Sequence, residues 1–227
     1  MMTLFLIGCL YFMLSCTPHH SHENMNDMIT IALPEFRTAG DVSIEESMQK
    51  RRSIREYSDA PLTLDDIGQL AWSAQGITDP VRNYRTAPSA GATFPVEIYF
   101  ILTKVPDAAD GLYRYQNENH SLQKIRDGDL RPDLYNVALQ QAAITNAPVA
   151  MVITGVLSRI EPRYRDRALR YMYMEAGHVA QNVYLQSVPL SIGTVVIGAF
   201  EDNGVRDVLG LDEGEYPMYI MPLGKRR

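Results

Sequence analysis

The sequence predicts an α+β fold, a mixed β-sheet packed with helices of unequal length. Apolar segments with the period of strands and of helices alternate to the end of the chain. One helical pattern, RDRALRYMYMEAGHVAQNVYLQS, far outlasts the others, and the strands on either side of it lack the regular βαβ alternation of a doubly wound parallel sheet. With 227 residues and 46% hydrophobic content, the chain can bury one sizeable core, so one domain is expected.

The opening MMTLFLIGCLYFMLSC is an apolar run of about 15 residues, short for a membrane span and suited to a signal segment. It ends MLSC and turns abruptly to the polar TPHHSHENMND, as in a bacterial lipoprotein signal whose cysteine, here Cys16, carries the lipid. Cys9 in LIGC fits the pattern less well because fewer apolar residues precede it, and no Lys or Arg precedes the run. The expected organisation is a lipoprotein-type signal over 1–16, a polar tether over 17–42 and a cofactor-binding domain over 43–227. That places the protein in the bacterial cell envelope, anchored outside the cytoplasm; a cytoplasmic protein is the alternative. His19, His20 and His22 belong to the tether, and a metal there is not expected.

From Ser43 the elements follow in order. Ser43 with Glu46, and Thr63 with Asp66, have the spacing of capping boxes and start two helices, the first ending near Arg52. The second carries Ile67, Leu70, Ala71 and Ala74 on one face and meets Gly76 where a left-handed stop is expected. VEIYFILTK reads as a central strand, and LYRYQ and SLQKI around NENH as a hairpin. A helix through LYNVALQQAAI leads to the strand VAMVITG. In the long helix Leu169, Met172, Ala176, Val179 and Val183 recur at helical spacing. The strand IGTVVIG, a short helix through VRDVLG and the strand PMYIMPLG close the chain.

The 21 Lys+Arg against 27 Asp+Glu give a net charge of −6, which argues against nucleic acid as a partner. With both cysteines near the N-terminus, the domain has no thiol nucleophile, disulfide or cysteine metal cluster. Three segments can bind a cofactor. RRSIREY sets Arg51, Arg52, Ser53 and Arg55 at a helix end, where guanidinium forks match phosphate oxygens; a solvated basic face favoured by the helix dipole has the same appearance. PSAGATFP, with Pro88, Ser89, Ala90 and Gly91, lets main-chain donors approach a flat ring, or is simply a tight connection. IGAFED offers N–H groups at Gly198 and Ala199 without bulk in front of them. PLGKRR ends the chain with cations suited to a phosphate or to solvent.

In this order the motifs resemble the nitroreductase family, and within it the SagB-type dehydrogenases that form thiazoles and oxazoles. RRSIREY, LAWSAQGIT, RTAPSAGATFPVEIYF, GLYRY, NAPVAMVITG, YMEAGHVAQNVYLQS and IGAFED carry the resemblance, from about Ser47 to the C-terminus. It implies a sheet-and-helix sandwich forming an intertwined homodimer with FMN at the subunit interface. By position, Arg51, Arg52, Ser53 and Arg55 then contact the phosphate and ring edge, and Pro88, Ser89, Ala90 and Gly91 form the isoalloxazine loop given by the opposite subunit. Gly198 faces N5, flanked by Ile197 and Ala199. Gln141 approaches the ribityl chain or ring, and Lys225 and Arg227 complete the phosphate site.

The resemblance implies hydride transfer from a donor such as NAD(P)H, through flavin N5, to a small organic acceptor such as a nitroaromatic or quinone. Azoline-to-azole oxidation is one alternative. The azole-forming enzymes carry a Lys-Tyr pair where this chain has Arg163 and Tyr164, and arginine stays protonated, a poor general base. A non-catalytic flavin-binding surface lipoprotein is the other. No catalytic side chain is assigned, and His178, in the middle of the long helix, is expected to be structural.

Overall fold

The structure is a computed structural model describing residues 29–227. The apolar opening with Cys9 and Cys16, and the three tether histidines, lie outside the described residues. Among the described residues no helix is long and apolar enough to cross a membrane, and no cluster of His, Cys, Asp or Glu is arranged to hold a metal.

The strands are β1 (Thr30–Ala32), β2 (Ile77–Asp79), β3 (Tyr84–Arg85), β4 (Val96–Leu102), β5 (Gly111–Gln116), β6 (Ser121–Asp127), β7 (Val149–Val156), β8 (Ile192–Thr194) and β9 (Glu215–Lys225). The helices are α1 (Ile44–Lys50), α2 (Leu64–Gln75), α3 (Arg131–Val137), α4 (Ala143–Asn146), α5 (Leu157–Tyr164), α6 (Ala168–Ser187) and α7 (Asp202–Leu209). Seven strands form one sheet in the order β1-β6-β5-β4-β7-β9-β8, every neighbour antiparallel. The parallel component is confined to an isolated bridge, Ser53 with Thr194, at the β8 edge.

Both faces of the sheet are covered, so its central strands are apolar almost without alternation. On β4, Ile98, Phe100 and Leu102 enter one core, while Tyr99 and Ile101 enter the other. The first core lies under α2 and α6, the second under α3, α4 and α7. Ile67, Leu70, Ala71 and Ala74 of α2 are fully buried, as their spacing predicts.

Thr63 and Asp66 form a complete capping box, each side chain accepting from the other's backbone N–H. The Ser43 box is only half formed: Ser43 Oγ accepts from Glu46 N, but the Glu46 carboxylate turns away to Lys50. Gly76 differs from expectation. It is extended, at φ −64 and ψ 146, because β2 follows at once. Its lack of a side chain serves the neighbouring tryptophan, since a Cβ there would stand 2.2 Å from Trp72 Cδ1.

The single helix expected through Leu134–Ile144 is two, α3 and α4, broken where Leu139 and Gln140 take φ of 53 and 55. The expected strand IGTVVIG is regular only over Ile192–Thr194 and touches the sheet again at the Ile197–Ile220 bridge. Leu169 is 37% exposed, whereas Met172, Ala176, Val179 and Val183 are fully buried. The segment assigned to a tether is part of the domain from Thr30 onward. There β1 pairs with β6, Phe36 stacks on Trp72 at 4.8 Å between centroids, and Arg37 exchanges backbone bonds with the Gln69 amide.

Replacing Gly76 by Ala forces a methyl against Trp72 and should cost about 1–3 kcal/mol, the usual range for overpacking. Gly40→Ala, with no atom within 4 Å of the new methyl, is the control and should stay within about 0.5 kcal/mol. Urea denaturation of the two variants checks the pair; equal midpoints would remove the close-approach account of Gly76.

Candidate functional site

The RRSIREY segment lies across the β8 edge because two glycines make room for it. A Cβ at Gly193 would stand 2.7 Å from Ile54 Cγ2, and one at Gly224 would stand 2.7 Å from Tyr57 Cγ. Ile54 N donates to Thr194 O at 2.8 Å and Ser58 N to Lys225 O at 2.9 Å, so the segment is stitched to both β8 and β9. Tyr57 is buried under it, and that burial pushes its phenol well above the ordinary tyrosine range.

The candidate phosphate groups have distinct fates. The Arg51 guanidinium lies 5.1 Å over the Tyr184 ring. Tyr184 OH accepts from Val196 N at 2.8 Å and sits 3.1 Å from Ser53 Oγ, tying Ser53 to α6. Arg52 donates to the carbonyls of Gln49 and Arg51, satisfying the end of α1. Arg55 is exposed and forms no hydrogen bond or ion pair with another described residue. Lys225 is committed elsewhere: its Nζ is 2.8 Å from Asp66 Oδ1, the same carboxylate that caps α2, and donates to Leu190 O. Arg227 donates to Tyr57 O, which brings it beside the segment, and among the described residues its ion pair is an exposed one with Glu56 at 3.5 Å.

Around Ile197 the chain leaves the sheet, and the N–H groups of Gly198 and Ala199 donate to no described residue. A Cβ at Gly198 would make only an ordinary 3.5 Å contact with Tyr219, so the space before it is open. Gln141 is indeed drawn to this segment: its Nε2 donates to Ala199 O at 3.0 Å and to Ala138 O. The left-handed break at Leu139 and Gln140 precedes it in the chain.

The PSAGATFP loop is strained and tightly held. Gly91, Ala92 and Phe94 all have positive φ, two of them with a Cβ that disfavours it. Gly91 is favoured by its φ of 59, where any side chain is strained; a Cβ there would also stand 2.6 Å from Tyr164 OH and 2.7 Å from Arg163 Nε, the movable ends of two side chains. Arg163 Nη1 donates to Gly91 O. Ser89 Oγ accepts from Phe94 N at 2.9 Å and donates to Glu175 Oε2 at 2.6 Å. Glu175 is 2% exposed, and its Oε1 has no hydrogen-bond partner. Burial pushes this carboxyl up to about 7, against the pull of the Ser89 hydroxyl and the Arg85 guanidinium. Arg85 lies 4.3 Å over the Phe94 ring and donates to Gln75 Oε1, closing the other side of the loop.

Helix α6 thus anchors predicted residues at two points: Tyr184 meets Arg51 and Ser53 and holds Val196, which precedes the Ile197–Ala199 segment bonded by Gln141, and Glu175 holds the Pro88–Gly91 loop through Ser89. A cleft of about 860 Å³ opens elsewhere, between the chain around Arg37–Val42 and Trp72, Asn182 and Gln186, and contains none of the predicted site residues. His178 is exposed on α6 rather than hydrogen-bonded in the core.

Glu175, Tyr184 and Arg85 escape the motif reading. Glu175 had a signal: it falls three residues after Met172 and four before Val179, an acid on the apolar face of a helix. Tyr184 reads as an ordinary core aromatic, and only the fold brings Ser53 to its hydroxyl.

Comparison with known proteins identifies the family. The family model described as Nitroreductase family matches residues 48–225. A candidate nitroreductase of Methanocaldococcus jannaschii is 42% identical over 202 residues, 89% of this chain and 99% of the relative. A candidate nitroreductase structure from Ralstonia eutropha superposes with a TM-score of 0.78 at 27% identity, covering 87% of this chain and 90% of its own. The NADPH:FMN oxidoreductase of Vibrio harveyi shares the fold at a TM-score of 0.57 and 21% identity, covering 81% of this chain and 68% of its own. The chain therefore belongs to the nitroreductase family of oxidoreductases.

Proposed function

We propose that this protein binds FMN and passes hydride from a donor such as NAD(P)H to a small organic acceptor, a nitroaromatic or a quinone. The observation that carries the reading is a set of unspent donors: the Arg55 guanidinium, two residues from Ser53, and the N–H groups of Gly198 and Ala199, just past the Val196 that Tyr184 ties to Ser53. When Tyr184 donates to Ser53 Oγ, the Ser53 proton is free to point outward. A guanidinium and a hydroxyl suit a phosphate, and open main-chain N–H groups suit the edge of a ring. No GxGxxG fingerprint follows a strand, so a mononucleotide fits better than a dinucleotide. The Vibrio harveyi neighbour is named for NADPH and FMN, which agrees with this choice.

Bound FMN would supply the hydride chemistry at N5; the chain supplies position and charge. Arg55, Ser53 and the exposed Arg227 would hold the phosphate, while Gly198 and Ala199 direct fixed dipoles at the ring. Glu175 and Tyr184 are nine residues apart on α6, roughly 13 Å along the axis and half a turn around it. That separation supports a site completed by the Ser89 loop of a second copy. Exposed Ile44 and Met48 on α1, and Leu169, Tyr173 and Met174 on α6, offer the apolar surface a homodimer would bury. Azoline oxidation is less well supported. Arg163 does lie at the loop, but a permanently charged guanidinium donating to Gly91 O is not a base.

Lipid anchoring through Cys16 remains a separate proposal. Intact mass of the full chain expressed in a bacterium should show an acylated N-terminus at Cys16; an unmodified chain beginning at Met1 would remove it.

Two substitutions separate the cations. Arg55→Ala should weaken FMN binding about ten- to a hundredfold with the fold intact, as the loss of a charge-assisted phosphate bond does. Lys225→Met should instead lower stability, on the order of 1–3 kcal/mol. It leaves Asp66 8% exposed without its cation, a cost moderated by the solvent reaching Lys225. Flavin titration of the apo proteins, with circular dichroism, decides; an Arg55→Ala protein with wild-type affinity would leave the phosphate assignment unsupported.

The purified domain should also be a yellow dimer that releases FMN when it dissociates. A flavin-loaded monomer in light scattering, or FAD as the released flavin, would contradict the shared mononucleotide site.

A further inference from the structure

A buried acid to which the motifs assign no role, Glu175 of YMEAGHVAQNVYLQS, bonds the Ser89 loop from behind. Glu175 projects from α6 into the space between α2, β3 and the loop. The bond order there is fixed by chemistry. Phe94 N–H can only donate, so Ser89 Oγ accepts from it and turns its own proton to Glu175 Oε2. This two-step relay ties both ends of the strained turn to one carboxyl.

The other oxygen has no such partner. Glu175 Oε1 is buried without a hydrogen bond of good geometry, while Gln75 Nε2 and Ala90 N–H face the carboxyl and favour its ionised form, an effect smaller than that of burial. A proton placed on Oε1 therefore removes a costly unpaired charge while Oε2 keeps its bond to Ser89. The loop geometry can survive both protonation states.

The charges around the carboxyl come from few elements. Arg85 of β3 faces it, backed by Glu97 of β4, Arg159 of α5 and Glu118 of the hairpin turn. Arg163 and Tyr164 of α5 stand on the far side of Gly91. On α6 itself Arg170 and His178 are exposed. Among the described residues Arg85 is thus the facing cation, and it is already shared with Gln75 and the Phe94 ring.

We propose that Glu175 is the positioning residue of the Pro88–Gly91 loop and that its Oε1 takes up a proton when negative charge is placed on a ring held against that loop. The inference rests on the flavin reading above. The balance is simple: a nicotinamide or dithionite donor supplies two electrons, one proton reaches the ring with them, and a second comes from a buffer acid. That second proton forms the new O–H bond at Oε1, leaving the buffer's conjugate base in solvent. No bond of the protein breaks.

The test compares wild type with Glu175→Gln, which keeps a carbonyl to accept from Ser89 but cannot titrate. The folded carboxyl near 7 lies above the unfolded value of about 4.3. The folded state thus holds the extra proton between these values, and stability falls as pH rises through that window. Wild-type apoprotein should lose several degrees more of melting temperature than Glu175→Gln between pH 5 and pH 8. In the flavin-loaded protein, the reduction potential should fall with pH more steeply in wild type above pH 7. One extra proton per two electrons corresponds to about 30 mV per pH unit, and Glu175→Gln should lose that slope. Ser89→Ala, the second variant should Glu175→Gln fail to fold, strips the carboxylate of its donor and should move the break to higher pH. Equal potential slopes in a flavin-loaded wild type and Glu175→Gln would overturn this proposal alone. A folded protein that takes up no flavin would overturn the functional reading, and the proton uptake with it, whatever the melting data show.

Discussion

The twenty residues of α6 are the constraint on which the rest of the site depends. The helix is buried along most of its length, with Met172, Ala176, Val179 and Val183 locked into the larger core. A rod fixed in this way carries polar groups at fixed angles and heights. Tyr184 reaches one way to Ser53 and Val196, and Glu175 reaches another to Ser89. Neither the Arg51–Tyr57 segment nor the Pro88–Phe94 loop is a regular element; the segment's backbone is stitched to β8 and β9, and these side chains add the anchors that tie both to α6.

The same economy appears at the C-terminus. Asp66 caps α2 with one oxygen and holds Lys225 with the other, so the helix start and the last strand share one buried carboxylate, and Ser58 N on the Lys225 carbonyl ties the end of the RRSIREY segment to the same residue. Arg55 remains outside that knot. A sequence shows a run of cations but not which of them the fold has already neutralised, and that is why Lys225 and Arg55 look alike in PLGKRR and RRSIREY and differ in space.

What the sequence made legible was whatever is decided locally. The Thr63–Asp66 box, the apolar face of α2, the β5–β6 hairpin and the long helix all depend on residues within a few positions of one another, and they stand as expected. Gly76 misled because glycine has two uses, a backbone needing positive φ and a close approach, and only the position of Trp72 chooses between them. The break between α3 and α4 was hidden because Leu139 and Gln140 are good helix formers. The early segment read as tether because its contacts, Phe36 on Trp72 and β1 on β6, lie far away in the chain. Among the site residues, Gly198 and the Ser89 loop were visible as small residues between strands, whereas Tyr184 and Glu175 were concealed by a helix whose buried face is mostly apolar.

The loop from Pro88 to Phe94 shows why a buried acid can be kept where burial disfavours it. Ala92 and Phe94 at positive φ each raise the energy of the chain, by an amount typical of strained functional turns, about 1–3 kcal/mol. That conformation persists only if tertiary contacts over-determine it. Four contacts among the described residues do so: Arg163 on the Gly91 carbonyl, Arg159 on the Phe94 carbonyl, Arg85 across the Phe94 ring, and Glu175 through Ser89. Of these only Glu175 lies in the interior, and only there is a hydrogen bond not diluted by competing water. A neutral acceptor could hold Ser89 as well. A carboxyl adds the capacity to change charge without letting go of the loop, and that is the property on which the proposed proton uptake depends.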